Sequence, residues 1–368
     1  MKKLLLLLLL FYLPITSYSQ LFFTTQSKES LINIGFDSIN FWSFDLNTNN
    51  LIGPTFIDSV GGDIGFDDGN STYNLIDSKI YALVQTDLFG GSDGGNAIVS
   101  IDTTGVVQLI YEDSLEYFSI IEAVDNKLYL LSNPSWSSSN TRFWSFDLNT
   151  NNLIGPIIID STGSLRYWTS TSNLSNNKIY VVAEDTSGKS YIFSIDTTGG
   201  VQLIYEDTVE SFVSIETFNN KIYIISYHQG SNPNPIHFYT IDINTNNIIT
   251  GPIIIDSTGM EYHNSTFNPL DNKIYIIRNG SSNFHDISSI DTNGVILLIY
   301  QDSTQCLGII EAKINNSLTS VNEILFHNSK KLIKTINLLG QESLPYQKNI
   351  LLFYIYSDGT VEKKIIIE

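Results

Sequence analysis

The chain has a single cysteine, Cys306, among 368 residues, so no intrachain disulfide can form. A chain of this length buries enough apolar surface to fold without one. With no nucleophilic partner near it in sequence, Cys306 reads as a small core residue. Basic residues are few: 19 Lys and Arg stand against 38 Asp and Glu, a formal charge of −19. Such a surface repels phosphate backbones, which argues against nucleic acid as a partner. The acidity reads as solubility outside the cell, with affinity for cations as the alternative. Histidines are also scarce, and His228, His237, His263, His285 and His327 show no metal-ligand spacing such as H-x-x-x-H. No G-x-S-x-G, P-loop or CxxC is present, and spacing singles out no Ser–His–Asp set. Alanine is sparse, and no helical period occurs beyond the first residues. Ile, Val, Tyr, Phe, Ser, Thr and Asn abound instead, which predicts strands joined by tight polar turns.

Long apolar runs are missing except at the start, MKKLLLLLLLFYLPITSYSQ. Lys2 and Lys3 precede the apolar run Leu4–Leu13, and the small residues Ser17 and Ser19 stand before Gln20. This is the pattern of a secretory signal peptide over residues 1–19, too short to span a bilayer comfortably, so no stable membrane span is expected. Its removal takes Lys2 and Lys3 away and leaves a charge of about −21.

What the chain does have is repetition. FWSFDLNTNN occurs at Phe41–Asn50 and again at Phe143–Asn152, with FYTIDINTNN at Phe238–Asn247. Between these lie SIDTTGVVQLIYED from Ser100, SIDTTGGVQLIYED from Ser194 and SIDTNGVILLIYQD from Ser289. Both motifs read as strand, Asp-anchored turn, strand, with Asp and Asn side chains satisfying turn backbone groups and Gly supplying positive φ. Asp45–Asn49 matches D-x-N-x-N but lacks the later Gly and Glu of a calcium loop, so the hairpin reading prevails. A third turn recurs as DSKIY, DNKLY, NNKIY, NNKIY and DNKIY, starting at Asp77, Asp125, Asn176, Asn219 and Asp271.

The module is therefore four strands in about 50 residues, the size of a β-propeller blade. Two blade types, NTNN and DTTG, alternate and end near Ser59, Ser114, Gly163, Thr208, Gly259 and Ser303. The first blade lacks its opening strand. Leu307–Ala312, LGIIEA, matches SIIEA at Ser119–Ala123 and predicts that the C-terminal strand completes the first blade and closes the ring. The expected fold is all-β, a six-bladed propeller over residues 20–316 with threefold pseudo-symmetry. A kelch double-glycine pattern is missing, and a β-solenoid fits poorly because each module holds four strands.

After a linker at 317–329, the tail KKLIKTINLLGQESLPYQKNILLFYIYSDGTVEKKIIIE closes the chain. Its INLLGQE (Ile336–Glu342), FYIYSDGTVEKK (Phe353–Lys364) and terminal apolar strand resemble the type A C-terminal sorting domain of type IX secretion. The family's opening strand with a Pro-Asn-Pro turn is replaced by VNEILFHNSK, so the tail resembles a shortened version. The resemblance covers residues 330–368. It implies the type IX machinery as a partner, passage through the outer membrane, removal of the tail, and release or attachment at the cell surface. The matching positions include Gly340, Asp358, Gly359, Lys363 and Lys364. From the residues alone, a small β-sandwich with a DG turn is expected, its two lysines guarding an edge strand.

Two sets of residues are candidates for chemistry. Stepping back five residues from the Lys of each N-K-I-Y turn, and placing Glu311 by its IIEA match, gives Asn74, Glu122, Asn173, Glu216, Asn268 and Glu311. An alternating Glu/Asn ring offers oxygen ligands suited to Ca²⁺. In residue type and blade number it resembles the six-bladed lactonases that hold a divalent cation. The competing reading is structural, each Glu being satisfied across a blade interface. The second set breaks the repeat and sits in loops: Trp136, Arg166, Tyr167, Trp168, His228, His237, Glu261, Tyr262 and His263. Propeller loops crowd one face, where aromatic rings stack on sugars. The sequence thus leads to a secreted or surface-exposed, non-catalytic module for a glycan or protein ligand. A divalent-cation-dependent hydrolase of the lactonase type is the alternative, and a purely structural surface protein a third.

Overall fold

The turns set the architecture. In the computed structural model, the Asp45 carboxylate accepts the amides of Asn47 (2.8 Å) and Thr48 (3.3 Å), and Asn49 takes φ 55° to bring the chain back. Asp147 and Asp242 repeat the arrangement, with Asn151 and Asn246 at the same φ. In the other motif Asp102 accepts from the amides of Thr104 (2.8 Å) and Val106 (3.0 Å), and Gly105 supplies φ 89°. These aspartates are consumed by their own turns, the local bonding that makes Asp a turn residue. The structure describes residues 19–27, 39–57, 71–85, 96–113, 115–133, 140–230, 235–258, 260–280, 285–303, 305–314, 332–337, 341, 351–356 and 361–365. Residues 1–18 of the expected signal peptide, the expected linker 317–329, Trp136, Gly340, Asp358 and Gly359 lie outside them, whereas Ser19, the last residue of the expected signal peptide, is described as the first of a strand.

Six four-stranded antiparallel sheets form the first unit, residues 1–315. The first blade holds β1 (Ser19–Ser27), β2 (Ile39–Asp45) and β3 (Asn50–Ile57). The second holds β4 (Ser71–Asn74), β5 (Lys79–Gln85), β6 (Asn96–Ile101) and β7 (Val107–Asp113). The third holds β8 (Tyr117–Val124), β9 (Lys127–Asn133), β10 (Thr141–Asp147) and β11 (Asn152–Asp160). The fourth holds β12 (Leu165–Asn173), β13 (Lys178–Asp185), β14 (Ser190–Asp196) and β15 (Val201–Asp207). The fifth holds β16 (Glu210–Phe218), β17 (Lys221–His228), β18 (Ile236–Asp242) and β19 (Asn247–Asp256). The sixth holds β20 (Glu261–Asn268), β21 (Lys273–Asn279), β22 (His285–Asp291) and β23 (Ile296–Asp302). β24 (Gln305–Ile314) then pairs antiparallel with β1, so the first blade reads β24-β1-β2-β3 and the two ends of the propeller share one sheet. This is the closure that the LGIIEA match predicts.

Among the described residues no single core lies at the centre. Six apolar clusters instead fill the six blade interfaces, because successive residues of a strand point to opposite faces. On β5, Ile80, Ala82 and Val84 pack toward the first blade, whereas Tyr81 and Leu83 pack toward the third. The interface between the sixth and first blades draws Leu21 and Phe23 from β1 and Leu307, Ile310 and Ala312 from β24.

The second unit, residues 316–368, contains one three-stranded antiparallel sheet among its described residues, β25 (Leu332–Asn337), β26 (Leu351–Tyr356) and β27 (Val361–Ile365). Leu352 and Tyr354 are buried and Lys363 is exposed. No helix among the described residues is long and apolar enough to cross a membrane.

Candidate functional site

Connectivity sorts the sequence onto two faces. Each complete blade in chain order runs from its inner strand outward, so the hairpin after the first strand and the hairpin after the third share one face. The N-K-I-Y, NTNN and DTTG turns therefore all lie there. The start of each inner strand, the end of the second strand and the start of the third define the opposite face. Arg166, Tyr167 and Trp168 open β12, Glu261, Tyr262 and His263 open β20, and His228 and His237 flank the β17–β18 connection. Among the described residues, those that break the repeat are thus gathered on one side, away from the repeated turns.

The inner strands carry Glu122 on β8, Glu216 on β16 and Glu311 on β24, all buried. Each reaches into the next blade. Ser170 Oγ donates to Glu122 (2.6 Å), Ser265 Oγ to Glu216 (2.6 Å) and Ser71 Oγ to Glu311 (2.7 Å). The backbone amides of Ser172, Phe267 and Tyr73 favour the charged form of each carboxyl in turn. On the other side Thr72 and Thr171 hydroxyls approach Glu122 and Glu216 at 3.5 Å. Thr72, Thr171 and Thr266 also accept the amides of Ala123, Thr217 and Ala312 across the same interfaces. Burial pushes the three carboxyls up, Glu122 to about 7 and Glu216 and Glu311 to about 8, partly offset by these hydrogen bonds. Glu216 and Glu311 are raised further by the negative charge of the other ring glutamates.

The asparagines do not share this layer. Glu122 pairs in register with Tyr129, and its positional equivalents in the other blade type are Thr72, Thr171 and Thr266, which pair with Tyr81, Tyr180 and Tyr275. Asn74, Asn173 and Asn268 sit at the hairpin ends, opposite Lys79, Lys178 and Lys273. The alignment on Lys is offset because the DTTG blades turn through four residues, 75–78, where the NTNN blades use only Asp125 and Asn126. Each asparagine oxygen accepts from its own turn, at Ile76, Ser175 and Leu270. Each amide reaches the next blade, at Asp125 O (3.2 Å), Asn219 O (2.9 Å) and Ser19 Oγ (2.6 Å). The alternation around the axis is therefore Glu and Thr.

The loop-borne candidates separate by burial. Tyr167 joins the apolar cluster between the third and fourth blades, and Tyr262 that between the fifth and sixth. The Tyr262 hydroxyl donates to Asp256 (3.0 Å), and Arg278 stands 5.8 Å from its ring centroid. These two rings are spent on packing. Trp168 is 38% exposed, and its Nε1 donates to Phe212 O (3.2 Å). His263 is half-buried, with Nε2 2.7 Å from Asn279 Nδ2. His228 and His237 converge on Glu210, their Nδ1 atoms 3.0 and 2.9 Å from its Oε1.

Glu210 is the residue that spacing rules miss. The signal that marks it lies in the repeats: Glu116 and Glu210 each stand six positions before an inner glutamate, Glu122 and Glu216, and Gln305 stands six before Glu311. In the third blade Glu116 is buried, accepts from Ser132 Oγ (2.6 Å) and is paired with Arg142. In the fifth, Ser226 replaces Ser132 and His237 replaces Arg142 in the same register.

No protein-family model matches the chain, and no curated protein does. Solved structures do resemble it. A chain of the nidogen/laminin complex shares 9% identity at a TM-score of 0.53, over 80% of this chain and 98% of that one. A putative 6-phosphogluconolactonase from Bacteroides uniformis shares 10% at 0.47, over 96% and 98%. The BP39L lectin from Burkholderia pseudomallei shares 12% at 0.46, over 89% and 88%. At these identities the likeness is one of fold, the β-propeller.

Proposed function

We propose that this propeller is exported by type IX secretion to the cell surface or beyond, and there binds a glycan or protein partner without catalysis. The observation that carries the binding role is the gathering of non-repeating residues on one face. The repeated turns lie on the opposite face, where their aspartates bond to their own backbone amides. Divergence is concentrated where Trp168, His228, His237 and His263 stand, and a half-exposed indole is suited to stacking on a sugar ring. The leader and the tail motifs support export.

A glycan array probed with the chain tests the first part. Retention on a restricted set of glycans, lost in a Trp168→Ala variant of unchanged melting temperature, is the expected result. Uniform absence of binding argues for a protein ligand, to be sought by capture from the cell surface. Export is tested by deleting residues 330–368 in a host with a type IX apparatus. The shortened chain is expected to stay inside the envelope on fractionation, and its undiminished appearance outside would remove the tail's role.

A further inference from the structure

A buried carboxylate needs a partner, and the third blade meets that need for Glu116 with the single cation Arg142. The fifth blade does something more elaborate at the same place. His237 occupies the register position of Arg142, and a second imidazole, His228, arrives from the end of the neighbouring strand. Both Nδ1 atoms approach the same oxygen, Glu210 Oε1, and the three atoms lie within 4.8 Å of one another. Ser226 Oγ donates to the other oxygen at 2.7 Å, which fixes the plane of the carboxylate. Two nitrogens and one oxygen exceed what neutralising one carboxylate requires. They are a ligand set of the kind that holds zinc with a fourth position left for water. Access differs between the two imidazoles: the His237 side chain is 11% exposed and that of His228 41%, so the cluster opens toward solvent on the His228 side.

We propose that Glu210, His228 and His237 form a zinc site on the variable face of the fifth blade. Metal at Nδ1 leaves each imidazole proton on Nε2, and Ser226 acts as the supporting group that orients the carboxylate ligand. The inner glutamate layer supplies no ligand to this site, whereas the glycan reading counts the same two histidines on its face; the zinc titration uses no glycan, so the two readings fail separately.

Titration of the full chain with Zn²⁺ alone, followed by calorimetry, is expected to show one saturable site of micromolar or tighter affinity. His228→Ala and Glu210→Gln are expected to weaken it at least 100-fold, and Ser226→Ala about 10-fold, the range for a group that orients a ligand. His263→Ala should leave it unchanged. Because truncating His237 exposes a buried charge, His237→Arg is the better variant there. It recreates the Glu116–Arg142 pairing, so it should keep the melting temperature while abolishing zinc uptake. Co²⁺ in place of Zn²⁺ should give visible ligand-field absorption in the wild type and none in His237→Arg. Absence of saturable one-to-one uptake by the wild type overturns the proposal, as does uptake that survives both His228→Ala and His237→Arg.

Discussion

The melting temperature of this protein should fall by roughly 10 °C between pH 5 and pH 9, and most of that fall should vanish when Glu122, Glu216 and Glu311 are all changed to Gln. The three carboxyls have an ordinary value of 4.5, raised in the native state to about 7, 8 and 8. Over the window from 4.5 to 8 the folded protein therefore holds protons that the unfolded chain has released. Stability from these groups is complete below 4.5 and is lost as pH rises through 7 and 8. Each unit of displacement corresponds to about 1.4 kcal/mol, so three partly neutral carboxyls account for several kcal/mol across the window. Glutamine keeps one acceptor oxygen for the serine hydroxyl of the next blade but cannot ionise. A wild-type curve as flat as that of the triple variant would mean that the glutamates ionise freely in the folded state. Calcium adds a discriminating arm: a rise in melting temperature at pH 8.5 with millimolar Ca²⁺, seen in the wild type and not in the triple variant, would assign the layer a cation.

A chain ending at Ser303 should melt about 10–20 °C lower than one ending at Asn316, or lose its cooperative transition altogether. The deletion removes β24, the inner strand of the first blade. Leu307, Ile309 and Ile310 leave the interfaces on both sides of that blade, each side chain contributing about 1.5–3 kcal/mol on burial. Their sum of about 5–9 kcal/mol is comparable to the whole stability of an ordinary domain, about 5–15 kcal/mol. The deletion also exposes the edge of β1 and takes Glu311 from Ser71. Supplying a peptide of residues 305–315 should restore part of the loss by re-forming the sheet. Equal melting temperatures for the two chains would show that the ring does not depend on its closing strand.

Much of this architecture is written in local chemistry. NTNN and DTTG are legible because one Asp side chain and one positive-φ residue determine each turn without help from the rest of the fold. Blade number follows from counting those turns, and closure from the likeness of LGIIEA to SIIEA. The axial layer was harder to read because turn length is a property of register. Counting from Lys79 and from Lys127 crosses a four-residue turn in one case and a two-residue turn in the other, and so reaches Asn74 rather than Thr72. In the sequence Tyr167 and Tyr262 look like loop aromatics, yet they open strands whose side chains alternate into blade interfaces. Glu210 escaped because its partners stand far along the chain, and the antiparallel pairing of β16, β17 and β18 is what brings them together.

The Glu/Thr alternation limits how such a ring can be assembled. Every glutamate accepts a serine hydroxyl from the next blade, which is of the other type, so each of these seams joins unlike partners. A ring with an odd count would set two glutamate-bearing or two threonine-bearing blades side by side at one seam. Gain or loss of blades in pairs keeps these bonds at every seam, whereas a single blade added or lost breaks the alternation once.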